Sequence, residues 1–182
     1  MTLARPAFAV LAGAALLQAQ AASAAAPAPC LTEAEVSGMA AFSMPSVLRG
    51  VMKSCRAHLS ANGFFATRGA DLVARYAAGK DAAWPMAKEA FLKFGAGKNP
   101  ETMEQIGQLP DEALKPFVEG MMQQLVGDRI KPSSCSDIER GTSLIAPLPA
   151  QNTADLVAFI MVLVSRDKAG EKVKMPVCKA TA

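Results

Sequence analysis

Acid-base chemistry near neutral pH falls most readily to histidine, and this 182-residue chain holds one, His58. A hydrolase built on it needs a nucleophile and an orienting carboxylate beside the ring. No Gly-x-Ser-x-Gly elbow supplies the nucleophile. The cysteines read as oxidised and so as poor nucleophiles. Helical projection sets His58 beside Val47 and Val51, at the border of an apolar face and in the last turn of a helix, where a cationic side chain suits the local dipole. A packed histidine is the first reading. A small envelope hydrolase using His58 with a nearby carboxylate is the alternative.

Other chemistry-bearing patterns fail on spacing. Cys55-Arg56-Ala57-His58 lacks the second cysteine of a covalent haem site. No Cys-x-x-Cys, His-Glu-x-x-His, Glu-x-x-His or calcium-loop pattern occurs, so neither a metal nor a cofactor is expected. Thioether clusters bind Cu(I), but Met52, Met121, Met122 and Met161 fall on predicted core faces, which leaves Met39 and Met44 as the pair to test for copper. Gly95-Ala96-Gly97-Lys98-Asn99 is no phosphate loop, because a helix precedes it and Pro100 follows. Glu101 with Glu104, and Glu112 with Glu119, read as solvated faces rather than as the acid and base of a glycosidase.

Composition and the first residues bound the setting. Arg5, the apolar run Ala7 to Leu17 and Ala22-Ser23-Ala24 have the three-part form of a secretory leader, removed after residue 24. Its apolar core is shorter than the ~20 residues of a membrane span. The expected product is periplasmic or secreted, with residues 25–182 as one helical domain of ordinary size. Without Arg5 the chain carries 18 basic and 16 acidic side chains, which gives no electrostatic case for nucleic acid or an anionic membrane.

The elements follow from caps, breakers and periodicity. Thr32 and Glu35 stand at capping-box spacing, with Leu31 and Val36 placed as a hydrophobic staple. A helix from Glu33 to Phe42 is predicted, then a reversal at Ser43-Met44-Pro45 and a second helix from Pro45 to Leu59 whose basic face carries Arg49, Lys53 and Arg56. Such a hairpin returns Cys55 to Cys30. Further helices are predicted from Phe64 to Ala78, supported by an Asp71–Arg75 pair, and from Asp81 as cap to Phe94. Asn99 and Pro100 start a short helix to Gln108, and another runs from Asp111 to Val126 with Pro116 kinking or dividing it. From Cys135, Ser136 with Glu139 forms a second capping box before a helix to Ala146. A last helix, capped by Asn152 or Thr153 with Asp155 in its first turn, runs to Arg166; its nine apolar residues Leu156 to Val164 read as the central buried helix.

Four cysteines in an exported chain read as two disulfides. Cys30–Cys55 and Cys135–Cys178 are favoured, because each pair brackets a predicted hairpin. The expectation is an all-α bundle of about six to eight short helices, stapled twice. Without an acid-base set, its expected function is non-catalytic binding of a protein partner or an apolar small ligand between helices.

Overall fold

The computed structural model describes residues 30–167 and 177–178, so the expected leader, residues 1–24, lies outside the described residues. Thr32 caps the first helix as its type and spacing require: its Oγ1 accepts from the Glu35 amide at 3.2 Å, and the Glu35 carboxylate accepts from the Thr32 amide at 2.8 Å. Leu31 and Val36 pack into one buried cluster, which closes the staple.

The predicted hairpin does not form. A single helix, α1, runs 23 residues from Glu33 to Cys55 with Pro45 inside it. Proline there deprives the Ala41 carbonyl of its donor and costs ~3 kcal/mol. Packing outweighs that cost, because Ser43, Pro45 and Ser46 are all buried against neighbouring helices. Residues with turn chemistry serve here as small side chains at helix contacts. At 1.5 Å per residue α1 is about 35 Å long, so Cys30 and Cys55 sit at opposite ends of it and cannot approach to the ~6 Å a disulfide needs. The pairing is instead Cys30–Cys178, with Cα atoms 4.9 Å apart, and Cys55–Cys135, at 5.4 Å.

Around α1 stand α2 (Phe64–Ala77), α3 (Trp84–Ala96), α5 (Asp111–Gly127) and α7 (Ala150–Asp167). The short α4 (Pro100–Gly107) leans on α3, and α6 (Cys135–Ile145) leans on α2. Among the described residues the architecture is all-α, and the sole β-type pairing is an isolated parallel bridge of Leu31 with Val177. Three apolar clusters line α1 along its length. Leu31 and Val36 meet Ala90 and Ala158; Phe42 meets Trp84, Leu114 and Val118; Leu48, Val51 and Cys55 meet Phe65, Leu72 and Tyr76.

Two glycines of α1 permit this crowding. A Cβ on Gly38 would lie 2.4 Å from Met86 Cβ, and one on Gly50 would lie 2.5 Å from the Gln123 carbonyl oxygen. Contacts so short are not tolerated, so backbones touch at both places.

Local signals elsewhere meet mixed outcomes. Asn99 caps α4 through the Thr102 amide at 3.1 Å, as its position before Pro100 predicts. Asp81 caps nothing: a 3₁₀ turn, Lys80–Ala83, leads into α3 and Ala83 takes the cap position. Pro116 does not divide α5. The Ser136–Glu139 capping box is also absent, because α6 already begins at Cys135 and Glu139 is used elsewhere. Its carboxylate accepts from the Phe65 amide at 2.9 Å and so caps the start of α2, where Gly63 has no side chain to do it.

Peptide mapping of the oxidised chain should recover Cys30–Cys178 and Cys55–Cys135 linkages; replacing Cys55 and Cys135 together by serine should cost up to about 4.5 kcal/mol in urea unfolding, the chain-entropy value for a separation of 80 residues. A second urea series separates packing from propensity. Gly50→Ala should lose ~1–2 kcal/mol, because the clash outweighs the helix preference of alanine, whereas Gly120→Ala, with open space around it, should gain ~0.5–1 kcal/mol.

Candidate functional site

His58 sits in a 3₁₀ turn, Arg56–His58, just past the end of α1. It is exposed, with no hydrogen bond and no carboxylate within ion-pair distance among the described residues. The projection that set it beside Val47 and Val51 assumes 3.6 residues per turn to Leu59. The chain tightens after Cys55, and the smaller turn carries the ring away from that face. Arg49, Lys53 and Arg56 are exposed, as the amphipathic pattern predicts.

The remaining candidates do not converge either. Met39 and Met44 share α1, yet Met39 packs toward Phe42 and Val36 while Met44 packs toward Leu48 and Cys55. Met39 Sδ accepts from Ser43 Oγ at 3.4 Å. No group of three His, Cys, Asp or Glu side chains stands ready for a metal among the described residues. Glu101, Glu104 and Glu112 are exposed, and Glu119 is paired with Lys80.

Titratable groups serve the framework instead. Three ion pairs bridge the region from Lys80 to Lys88 and α5: Lys80 with Glu119, Lys88 with Asp111 at 2.8 Å, and Lys115 with Asp81 at 2.8 Å. Lys115 holds the Asp81 carboxyl below its ordinary range, and Asp81 in turn raises the Lys115 ammonium. Lys88 lowers Asp111, with a smaller contribution from the Trp84 indole, whose buried N–H makes no well-formed hydrogen bond. Burial pushes the Glu35 carboxyl up, but the Lys93 ammonium and the Thr32 hydrogen bonds together bring it below its ordinary value.

Two open clefts carry polar side chains. One, of about 470 Å³, lies between α2 and α6 and is lined by Arg68, Asp71 and Arg75. Arg75 does not pair with Asp71 as expected; its guanidinium donates to the Ala146 carbonyl at 2.5 Å. The other, of about 510 Å³, lies between the start of α1, the 3₁₀ turn and α7. There Ser37 Oγ donates to Asp155 Oδ1 at 2.5 Å, and Gln151 Nε2 donates to both, at 3.1 and 2.9 Å. Serine, carboxylate and amide satisfy one another, and among the described residues lining this cleft there is no histidine or lysine to activate the hydroxyl.

What stands out is α7. Rather than the central buried helix, it is an outer helix resting on α1. Ala154, Ala158 and Val162 face inward and are buried, while Leu156, Phe159, Ile160, Leu163 and Val164 are 39–51% exposed. An uninterrupted apolar run does not reveal which side faces in. The alanines at i and i+4, Ala154 and Ala158, are the sequence signal of the side that approaches α1 closely. Fully burying a side chain of this size is worth ~1.5–3 kcal/mol, so five half-exposed ones leave roughly 3–7 kcal/mol unrealised on one helix face. Scattered exposed apolar residues are ordinary, but a contiguous stripe marks an interaction surface. A smaller stripe, Phe117, Met121 and Leu125, runs along α5 beside Leu114 and Val118, which are buried. No protein-family model, curated protein sequence or solved structure matches the chain.

The ion pairs set the acid response. Glu35, Asp81 and Asp111 hold folded values below their unfolded ones, so in the window between them the unfolded chain binds more protons. Their contribution is complete above the ordinary carboxylate range near pH 4 and is lost as pH falls through the folded values. Glu35→Gln should therefore lower stability at pH 7 and make the decline between about pH 5 and 3 shallower. Urea midpoints across that range check this, and an acid limb of unchanged steepness would remove Glu35 from the role.

Proposed function

We propose that the mature chain is an exported, periplasmic or secreted, non-catalytic binding domain that takes a protein partner on the apolar face of α7. The observation that carries this reading is the stripe Leu156, Phe159, Ile160, Leu163 and Val164, half exposed on a helix supported from one side. A leader-like start and two disulfides support an oxidising compartment, since such bonds persist there. No described helix is long and apolar enough to cross a membrane. An apolar small ligand fits less well, because the two clefts are open to solvent rather than enclosed. The hydrolase reading has nothing to rest on while His58 stands exposed and unpaired.

The test is affinity capture from the native envelope under oxidising conditions, with wild-type chain and Phe159→Glu side by side. Phe159 is 51% exposed, so the variant should keep its helical circular dichroism. The wild type should retain a partner that the variant releases; equal recovery by both, or by neither, overturns the proposal.

A further inference from the structure

We infer that the partner on the α7 face is a second copy of this chain, docked so that the two α7 helices run antiparallel about a two-fold axis between Phe159 and Ile160; this rests on the reading of α7 as the binding face. Leu156, Phe159, Ile160 and Leu163 are spaced three, one and three residues apart, and that spacing is unchanged on reversal. Antiparallel pairing sets Leu156 opposite the partner's Leu163 and Phe159 opposite the partner's Ile160. These four residues are therefore complementary to their own copy in position and in bulk, as an isologous contact requires, while Val164, whose counterpart on reversal is Asp155, borders the contact.

Charge and area agree with this occupant. Residues 156 to 164 contain no ionisable side chain, so the face meets its own copy without like-charge repulsion. Ala158 shares the cluster of Leu31 and Val36, Ser37 bonds Asp155, and Ala150 packs on the cluster of Leu48 and Val51, so α7 runs antiparallel to α1 along its first half. A two-fold axis at the middle of α7 therefore carries the basic ends of both α1 helices, with Arg49, Lys53 and Arg56, to opposite extremes of the dimer. Eight paired apolar side chains, four from each copy, and the flanking Val164 of each are 39–51% exposed. At roughly 200 Å² for a large apolar side chain they contribute on the order of 800–1,000 Å². With a polar rim, that reaches the lower end of specific interfaces, where ~1,000 Å² or more is needed. The α5 stripe is narrower, and its Phe117 already meets Phe91 edge-on at 6.3 Å.

Sedimentation equilibrium of the full oxidised chain from about 1 to 200 μM tests the inference, in the range where an interface of this size associates. A monomer–dimer equilibrium is expected, weakened roughly tenfold or more by Ile160→Glu and unchanged by Leu125→Glu on α5. Orientation is read separately with a short thiol cross-linker. Ile160→Cys should link to itself, whereas Leu156→Cys should link only when mixed with Leu163→Cys. A monomer at every concentration, a dimer indifferent to Ile160→Glu, or Leu156→Cys linking to itself would overturn it. A monomer whose envelope partner is still lost with Phe159→Glu would sink the self-association and leave the binding face standing.

Discussion

Backbone-to-backbone contact along α1 is the constraint on which the rest of the structure depends. A 23-residue helix enclosed by α2, α3, α5 and α7 has little surface for solvent, so it must present small side chains wherever a neighbour crosses. Gly38 meets α3 and Gly50 meets α5 at distances no β-carbon could occupy. Serines take other contact positions on the helix, and three of their hydroxyls are satisfied by what lies closest: Ser43 by Met39 Sδ, Ser54 by the Gly127 carbonyl, Ser37 by Asp155. The contacts leave few buried polar atoms unpaired, which a crowded helix needs as much as it needs apolar area.

Both disulfides act on this same rod. Cys30–Cys178 fastens its beginning to the end of the chain, and Cys55–Cys135 fastens its last residue to the start of α6. Each joins segments remote in sequence, 148 and 80 residues apart, so each restricts the unfolded chain more than a link across a short hairpin would. The ion pairs between the Lys80–Lys88 region and α5 span the gap between two helices that share α1 as their common support, over the rings of Phe42 and Trp84.

Legibility from sequence follows the range over which each feature is decided. The Thr32–Glu35 box, its staple, the Asn99 cap and the basic face of α1 are settled within one or two turns, and the residues alone disclosed them. All-α architecture was legible for the same reason, as a sum of local periodicities. Pro45 and Pro116 misled because local chemistry argues for a break while burial or helix continuity on both sides argues against one, and only the neighbours show which is larger. The cysteine pairing failed as a consequence of Pro45, since the hairpin it presumed never forms. His58 and Glu139 failed by a single turn: a 3₁₀ tightening rotates one outward, and a start at Cys135 sends the other to α2.

The exposed stripe on α7 has the same origin as the crowding of α1. A helix lying on α1 must offer its smallest side chains to the contact, and Ala154 and Ala158 are those, both fully buried. Once they are turned inward, the pitch of the helix forces Leu156, Phe159, Ile160 and Leu163 onto the other side, because four residues cannot leave the arc their spacing assigns them. Close packing inside thus dictates apolar bulk outside. Exposed charges such as Arg49, Lys53 and Arg56 are content in water, whereas the half-exposed apolar stripe of α7 is not. A second apolar helix meeting that face buries it, and buries most if it presents the same alternation of bulk, which is the property α7 shares with itself.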